Sequence, residues 1–194
     1  MEGGLAIADI LCGDVNPSGK LVDTCAKAFE DYPSSELFHE CDDYARYTED
    51  IYVGYRWAEK QQVKPLFAFG HGLSYTDFTY GDAKVSKNSV KAGADVSVSV
   101  NVTNTGKVAG KEVVQLYIGD EQSRLERPVK ELKGFSKIAL EPGETKTVTF
   151  SIDPEKLMYF DDEKHEWVLE DGKFTAYVGS ASDDIRTQVS FEVR

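Results

Sequence analysis

The sequence predicts a mainly β protein: an immunoglobulin-like antiparallel β-sandwich preceded by an incomplete α/β segment. Three observations carry this reading. In "ADVSVSVNVTNTG" the residues Val96, Val98, Val100 and Val102 alternate with Ser, Asn or Thr, the period of a strand with one buried face. From Phe78 to the end of the chain, turn signals recur at spacings of roughly 8–12 residues, as they do in sandwiches. The first seventy residues lack that rhythm, and their few candidate elements are too few to close a core of their own.

In chain order, "GGLAIADILCG" places Leu5, Ile7, Ala8, Ile10 and Leu11 at partly helical spacing and ends in Gly13, so a helix is expected there. "GKLVDTCA" is a short apolar run read as one strand. "SSELFHECDDYARYTED" is acidic and aromatic without a period and reads as loop. "IYVGYRWAEKQ" fits either element: Ile51, Tyr55 and Trp57 or Ala58 suit a helix, while the β-branched and aromatic content suits a strand. "PLFAFGHGLSYTDF", residues 65–78, falls where alternation begins and reads as a joint. Gly70 and Gly72 permit sharp turns there, and Phe67, Phe69, Leu73 and Tyr75 are expected to wedge between the two regions.

The sandwich opens with "FTYGDAKVS". The valine strand follows, then turn chemistry at Asn104-Thr105-Gly106 and a second strand in "GKEVVQLYIGDE"; that pair reads as a hairpin. "RPVKELKGFSKIAL" leads through the turn Glu141-Pro142-Gly143-Glu144 into "TKTVTFSID", with Val148, Phe150 and Ile152 on one face. A short strand at Trp167–Leu169, a turn at Asp171-Gly172 and a strand carrying Phe174, Ala176 and Val178 come next. "IRTQVSFEVR" closes with Val189, Phe191 and Val193, for about seven or eight strands in all.

The 194 residues carry 34 acidic and 22 basic side chains, a net charge of −12 that repels phosphate backbones and anionic lipid heads. Nucleic acid is therefore not an expected partner. No apolar run is long enough to span a membrane, and the broken run around Asp9 is not a secretory signal, so a soluble chain is expected. Cys12, Cys25 and Cys41 are odd in number and confined to the first quarter, which argues against a disulfide framework. His39 and Cys41 lack the second ligand pair that a zinc site needs. The carboxylates Asp42-Asp43, Glu49-Asp50 and Asp161-Asp162-Glu163 read as solvated loops. His71 lies between two glycines without a base partner and reads as structural. Trp57, Trp167, Tyr52 and Tyr55 are weighed as sugar-stacking aromatics, with both tryptophans assigned to packing rather than to a platform. Asn101-Val102-Thr103 fits a glycosylation sequon but lies inside a strand.

Four motifs, "GDVNPSGKL" (13–21), "EDIYVGYRW" (49–57), "PLFAFGHGLSYTDF" (65–78) and "GKEVVQLYIGD...RPVKELKGF" (110–135), together resemble the C-terminal part of family 3 glycoside hydrolases of the β-glucosidase type. The resemblance implies a parent with an N-terminal (β/α)8-like barrel, an α/β sandwich domain and a fibronectin type III-like domain. On it, residues 1–70 are the end of the α/β domain, 71–77 the joint and 78–194 the fibronectin type III-like sandwich. The family's nucleophile is an Asp in a Ser-Asp-Trp context and its acid/base is a Glu upstream of the matched segment. Neither motif occurs here, so no catalytic, cofactor-binding or metal-ligating residue is assigned, and no cofactor is expected. The implied partners are the parent's barrel and α/β domain and, in the parent only, a β-linked glycoside. The chain alone is expected to be inactive and to bind sugars weakly or undetectably, with its first forty-five residues mobile, rearranged or packed against another copy of the chain. A stand-alone module binding carbohydrate or protein is the alternative.

Overall fold

The computed structural model describes residues 2–194. Helix α1 spans Gly3–Cys12, and Gly13 ends it in the left-handed conformation (φ 84°), its N–H donating to the Ile10 carbonyl. Helix α2 spans Tyr55–Lys60, which resolves the ambiguity of "IYVGYRWAEKQ" in favour of the helix. The strands are β1 (Phe78–Tyr80), β2 (Lys84–Val85), β3 (Ser89–Val90), β4 (Val96–Asn104), β5 (Gly110–Asp120), β6 (Glu131–Leu140), β7 (Thr145–Ile152), β8 (Tyr159–Asp161), β9 (Glu166–Val168), β10 (Gly172–Ala181) and β11 (Asp184–Val193). They exceed the expected number because the two-residue strands β2 and β3 and the three-residue β8 are too short to leave a period, whereas β9 falls on the strand expected at Trp167–Leu169.

Two sheets face each other. In one, β4 pairs with β7 and with the short β1 and β2; the other runs β3-β11-β10-β5-β6, antiparallel except for β3 against β11. The core between them takes Val96, Val98, Val100 and Val102 from β4, and Val114, Leu116 and Ile118 from β5. Phe174, Ala176 and Val178 of β10, Phe191 and Val193 of β11, and Val148, Phe150 and Ile152 of β7 complete it. Alternation thus places the expected apolar residues inward, each contributing on the order of 1.5–3 kcal/mol by burial if valine-sized or larger.

The expected hairpin of β4 with β5 does not form. β4 belongs to one sheet and β5 to the other, so the segment between them crosses the sandwich. Asn104 makes that crossing stable. Its Nδ2 donates to the carbonyls of Val108 (2.8 Å) and Leu140 (3.1 Å), and its Oδ1 accepts from Gly106 N–H (3.0 Å). Its backbone N–H donates to Glu144 and its carbonyl accepts from Gly143, so the same residue also holds the second crossing, from β6 to β7.

Three further expectations are corrected. "GKLVDTCA" forms no strand: Leu21 pairs with His71 and Gly70, Cys25 bridges Phe67, and the left-handed Gly70 (φ 84°) breaks any ladder between the two pairings. Trp167 is 65% exposed rather than core, because it points away from the sandwich on the β8–β9 ribbon. Asp161 is not a solvated loop residue; its side chain is fully buried, since it accepts the Arg124 guanidinium and the turn N–H groups of Glu163 and Lys164.

Candidate functional site

Strand β5 is buried on both faces, although a sandwich strand needs only one. Val114, Leu116 and Ile118 face the core, whereas Gln115 and Tyr117 face outward under the segment that joins α2 to β1. The Tyr117 ring meets Tyr55 of α2 edge-on at 5.7 Å, and Tyr55 packs on Phe69 at 5.3 Å. The Tyr55 hydroxyl accepts from Leu132 N–H at 2.9 Å. Gln115 takes the Tyr117 hydroxyl on its carbonyl and donates to Ser180 at 2.7 Å. Gly70 lies so close above it that a Cβ there would sit 2.4 Å from Gln115 Nε2. Burial pushes the Tyr117 and Tyr80 hydroxyls well above the ordinary tyrosine range, so both remain neutral donors.

The joint is also pinned at its far end. Asn16 Oδ1 accepts from Ser74 Oγ (3.1 Å) and Tyr75 N–H (2.9 Å), while its Nδ2 donates to Ala109 at 2.9 Å. The Tyr75 hydroxyl reaches Ile10 at 2.8 Å, and Lys20 pairs with Glu112 at 3.5 Å. Phe69 is therefore wedged as expected, but Leu73 is 74% exposed because the joint turns it away from both regions.

A charged cluster lies beside Tyr55. Glu131 receives Arg56 (3.0 Å), Arg127 (3.0 Å) and Lys133 (3.3 Å), and Arg127 also binds Asp120 at 3.1 Å. Burial pushes the Glu131 carboxyl up, but Lys133, Arg127 and Arg56 outweigh it and hold the pKa below the ordinary value. Glu59 pairs with Lys130, yet burial wins there and raises its pKa. Two of these pairs, Arg56 with Glu131 and Glu59 with Lys130, join α2 to the sandwich, which is the chemistry of a latch between them.

The other singled-out residues do not converge. The His71 ring packs on Phe67 at 5.0 Å while its carbonyl holds Leu21. His39 packs edge-on against Phe38 at 4.8 Å, and the three cysteines are free. Among the described residues no group of three His, Cys, Asp or Glu side chains could hold a metal ion. Trp57 is half-buried beside a hollow of about 210 Å³ that Thr24, Tyr32 and Glu49 also line. Tyr52 is buried under the Lys60 ammonium, 3.6 Å from its ring centre. Sequence reasoning missed Asn104 and the outward face of the β8–β9 ribbon. The former is one polar residue at a turn, and the latter is three residues per strand, too short for a period to assign a face.

Residues 1–75 match the family model "Glycosyl hydrolase family 3 C-terminal domain", and residues 112–182 match "Fibronectin type III-like domain". The chain is 50% identical to the beta-glucosidase BoGH3A of Bacteroides ovatus over 98% of its own length and 26% of that protein. It is 47% identical to the thermostable beta-glucosidase B of Acetivibrio thermocellus, covering 98% of this chain and 25% of that protein. Its fold superposes on the beta-glucosidase of Kluyveromyces marxianus in complex with glucose with a TM-score of 0.90 at 45% identity, over 98% of this chain and 22% of that one. Beta-glucosidase 3B of Thermotoga neapolitana in complex with α-D-glucose gives 0.90 at 40% identity, over 98% and 26%. The chain thus spans about a quarter of the length of the relatives it matches.

Proposed function

The chain belongs to glycosyl hydrolase family 3, of which it carries the C-terminal part, and from that premise we propose that it is the buttress of an enzyme that hydrolyses β-linked glycosides by a retaining route. In this reading residues 1–70 complete an α/β domain, 71–77 are the joint and 78–194 are a sandwich that fixes the joint's position. The observation that carries it is β5, whose outer face is closed by Tyr55 of α2 and by Phe69 and Gly70 just before the joint, while the apolar residues of α1, Leu5, Ile7 and Leu11, lie open to be covered by upstream domains.

Retaining hydrolysis needs two carboxyl groups roughly 5–5.5 Å apart across the scissile bond, one a nucleophile and one an acid. Glu59, Glu112, Asp120 and Glu131 are each engaged by lysine or arginine, which suits them to holding elements together. The chain supplies rigidity to the parent, and its own turnover is nil. The test is a chimera in which this chain replaces the matched quarter of the Bacteroides ovatus relative. The chimera is expected to be soluble and to release phenol from aryl β-glucosides, and the relative cut before that quarter is expected to do neither. An active truncated relative would overturn the buttress role.

A further inference from the structure

The β8–β9 ribbon presents an aromatic pair to solvent from a rigid base. Phe160 and Trp167 are directly opposite across the two strands, 49% and 65% exposed, with ring centres 5.7 Å apart and planes at 71°. The residues that alternate with Phe160 point inward and anchor the ribbon. Tyr159 donates its hydroxyl to Glu170 at 2.7 Å, and buried Asp161 holds Arg124 and caps the turn. Desolvation works against the Asp161 charge, but the Lys164 N–H and the Arg124 and Lys164 charges outweigh it and keep it ionised. The two aromatics are thus held outward by their neighbours' anchoring rather than left over from the core.

Beside Trp167 lies a hollow of about 470 Å³ whose other lining residues are Glu155 and Met158. That is within the roughly 300–1,000 Å³ of small-molecule sites. We propose that this corner binds a neutral oligosaccharide, one pyranose stacking its C–H face on the Trp167 indole, which Phe160 supports edge-on, with Met158 beside it and a hydroxyl donating to Glu155. Charge favours that occupant. Glu155, Glu163 and Glu166 on a chain of net charge −12 repel uronates and phosphates. The nearby Asp153 and Asp161 are already paired with Lys156 and Lys164, so the negative field that would recruit a basic peptide is partly cancelled. An aromatic face beside a hydrogen-bond acceptor is what a neutral sugar ring requires. The choice of sugar rests on the glycosidase reading, but the corner is separate from the joint, so the chain would hold a glucan near the enzyme as well as brace it.

The experiment is titration of the full chain with cellohexaose, with polygalacturonate and a lysine-rich peptide as alternative ligands, read by tryptophan emission and calorimetry. Trp57→Phe leaves Trp167 as the only tryptophan reporter. Saturable binding of cellohexaose that survives Trp57→Phe is expected, weakened about tenfold or more in Trp167→Ala and retained in Trp167→Tyr. Absence of saturable cellohexaose binding, binding unchanged in Trp167→Ala, or binding of the peptide or the polyuronate instead would overturn the proposal. Because no turnover is read, failure here is distinct from failure of the chimera to hydrolyse glycosides.

Discussion

The Thr76 hydroxyl donates to the Asn104 side-chain carbonyl at 2.6 Å in a buried contact, tying the joint to the corner where the chain crosses between sheets. Asn104 is fully buried, and both its side-chain and its backbone polar groups have partners. Replacing it by Ala leaves Thr76, Gly106, Val108 and Leu140 each short of a partner, at about 1–3 kcal/mol for a buried orphan. Asn104→Ala is expected to lower unfolding stability by about 3 kcal/mol or more, and Thr76→Val by about 1–2 kcal/mol. Urea denaturation followed by tyrosine fluorescence measures both. Equal, small losses in the two variants would remove the corner from this account.

Gly70 has a positive φ and no room for a methyl group above Gln115. Gly70→Ala is expected to destabilise the docked joint by roughly 1–3 kcal/mol, from backbone strain and displacement of the Gln115 side chain. Limited proteolysis with mass spectrometry reads it locally. The wild-type chain is expected to be cut first within residues 26–48, and the variant also between Lys60 and Tyr75. An unchanged pattern in the variant would show that Gly70 is not what seats the joint.

The strand positions were legible because valine, phenylalanine and isoleucine at every second position of β4, β7, β10 and β11 have no other way to share one buried face. Which sheet each strand joins was not, since alternation reports the direction of a side chain and not its neighbour across a ladder. Hence β4 and β5 read as a hairpin. The latch was only partly legible: "EDIYVGYRW" and "RPVKELKGF" mark its two halves, but that Arg56 meets Glu131, 75 residues on, depends on α2 crossing the outer face of β5. Trp167 was misplaced because a three-residue strand offers two faces with equal claim to the aromatic.

The latch also sets a pH dependence. Glu131 has a folded pKa below its ordinary value of 4.5, so its contribution is fully present above that value and is lost as pH falls through the depressed one. Glu59, raised by burial, acts in the opposite sense and offsets part of the loss. The denaturation midpoint is expected to fall between about pH 5 and about pH 3, and Glu131→Gln is expected to flatten that slope. A variant with the wild-type slope would place the acid sensitivity elsewhere.

The central claim, that this chain braces a glycosidase without performing the reaction, is tested most directly by incubating the purified chain alone with chromogenic aryl β-glucosides. Release of phenol no faster than from a heat-killed control is the expected result. Turnover above that control which disappears on changing a single Asp or Glu of this chain would contradict it.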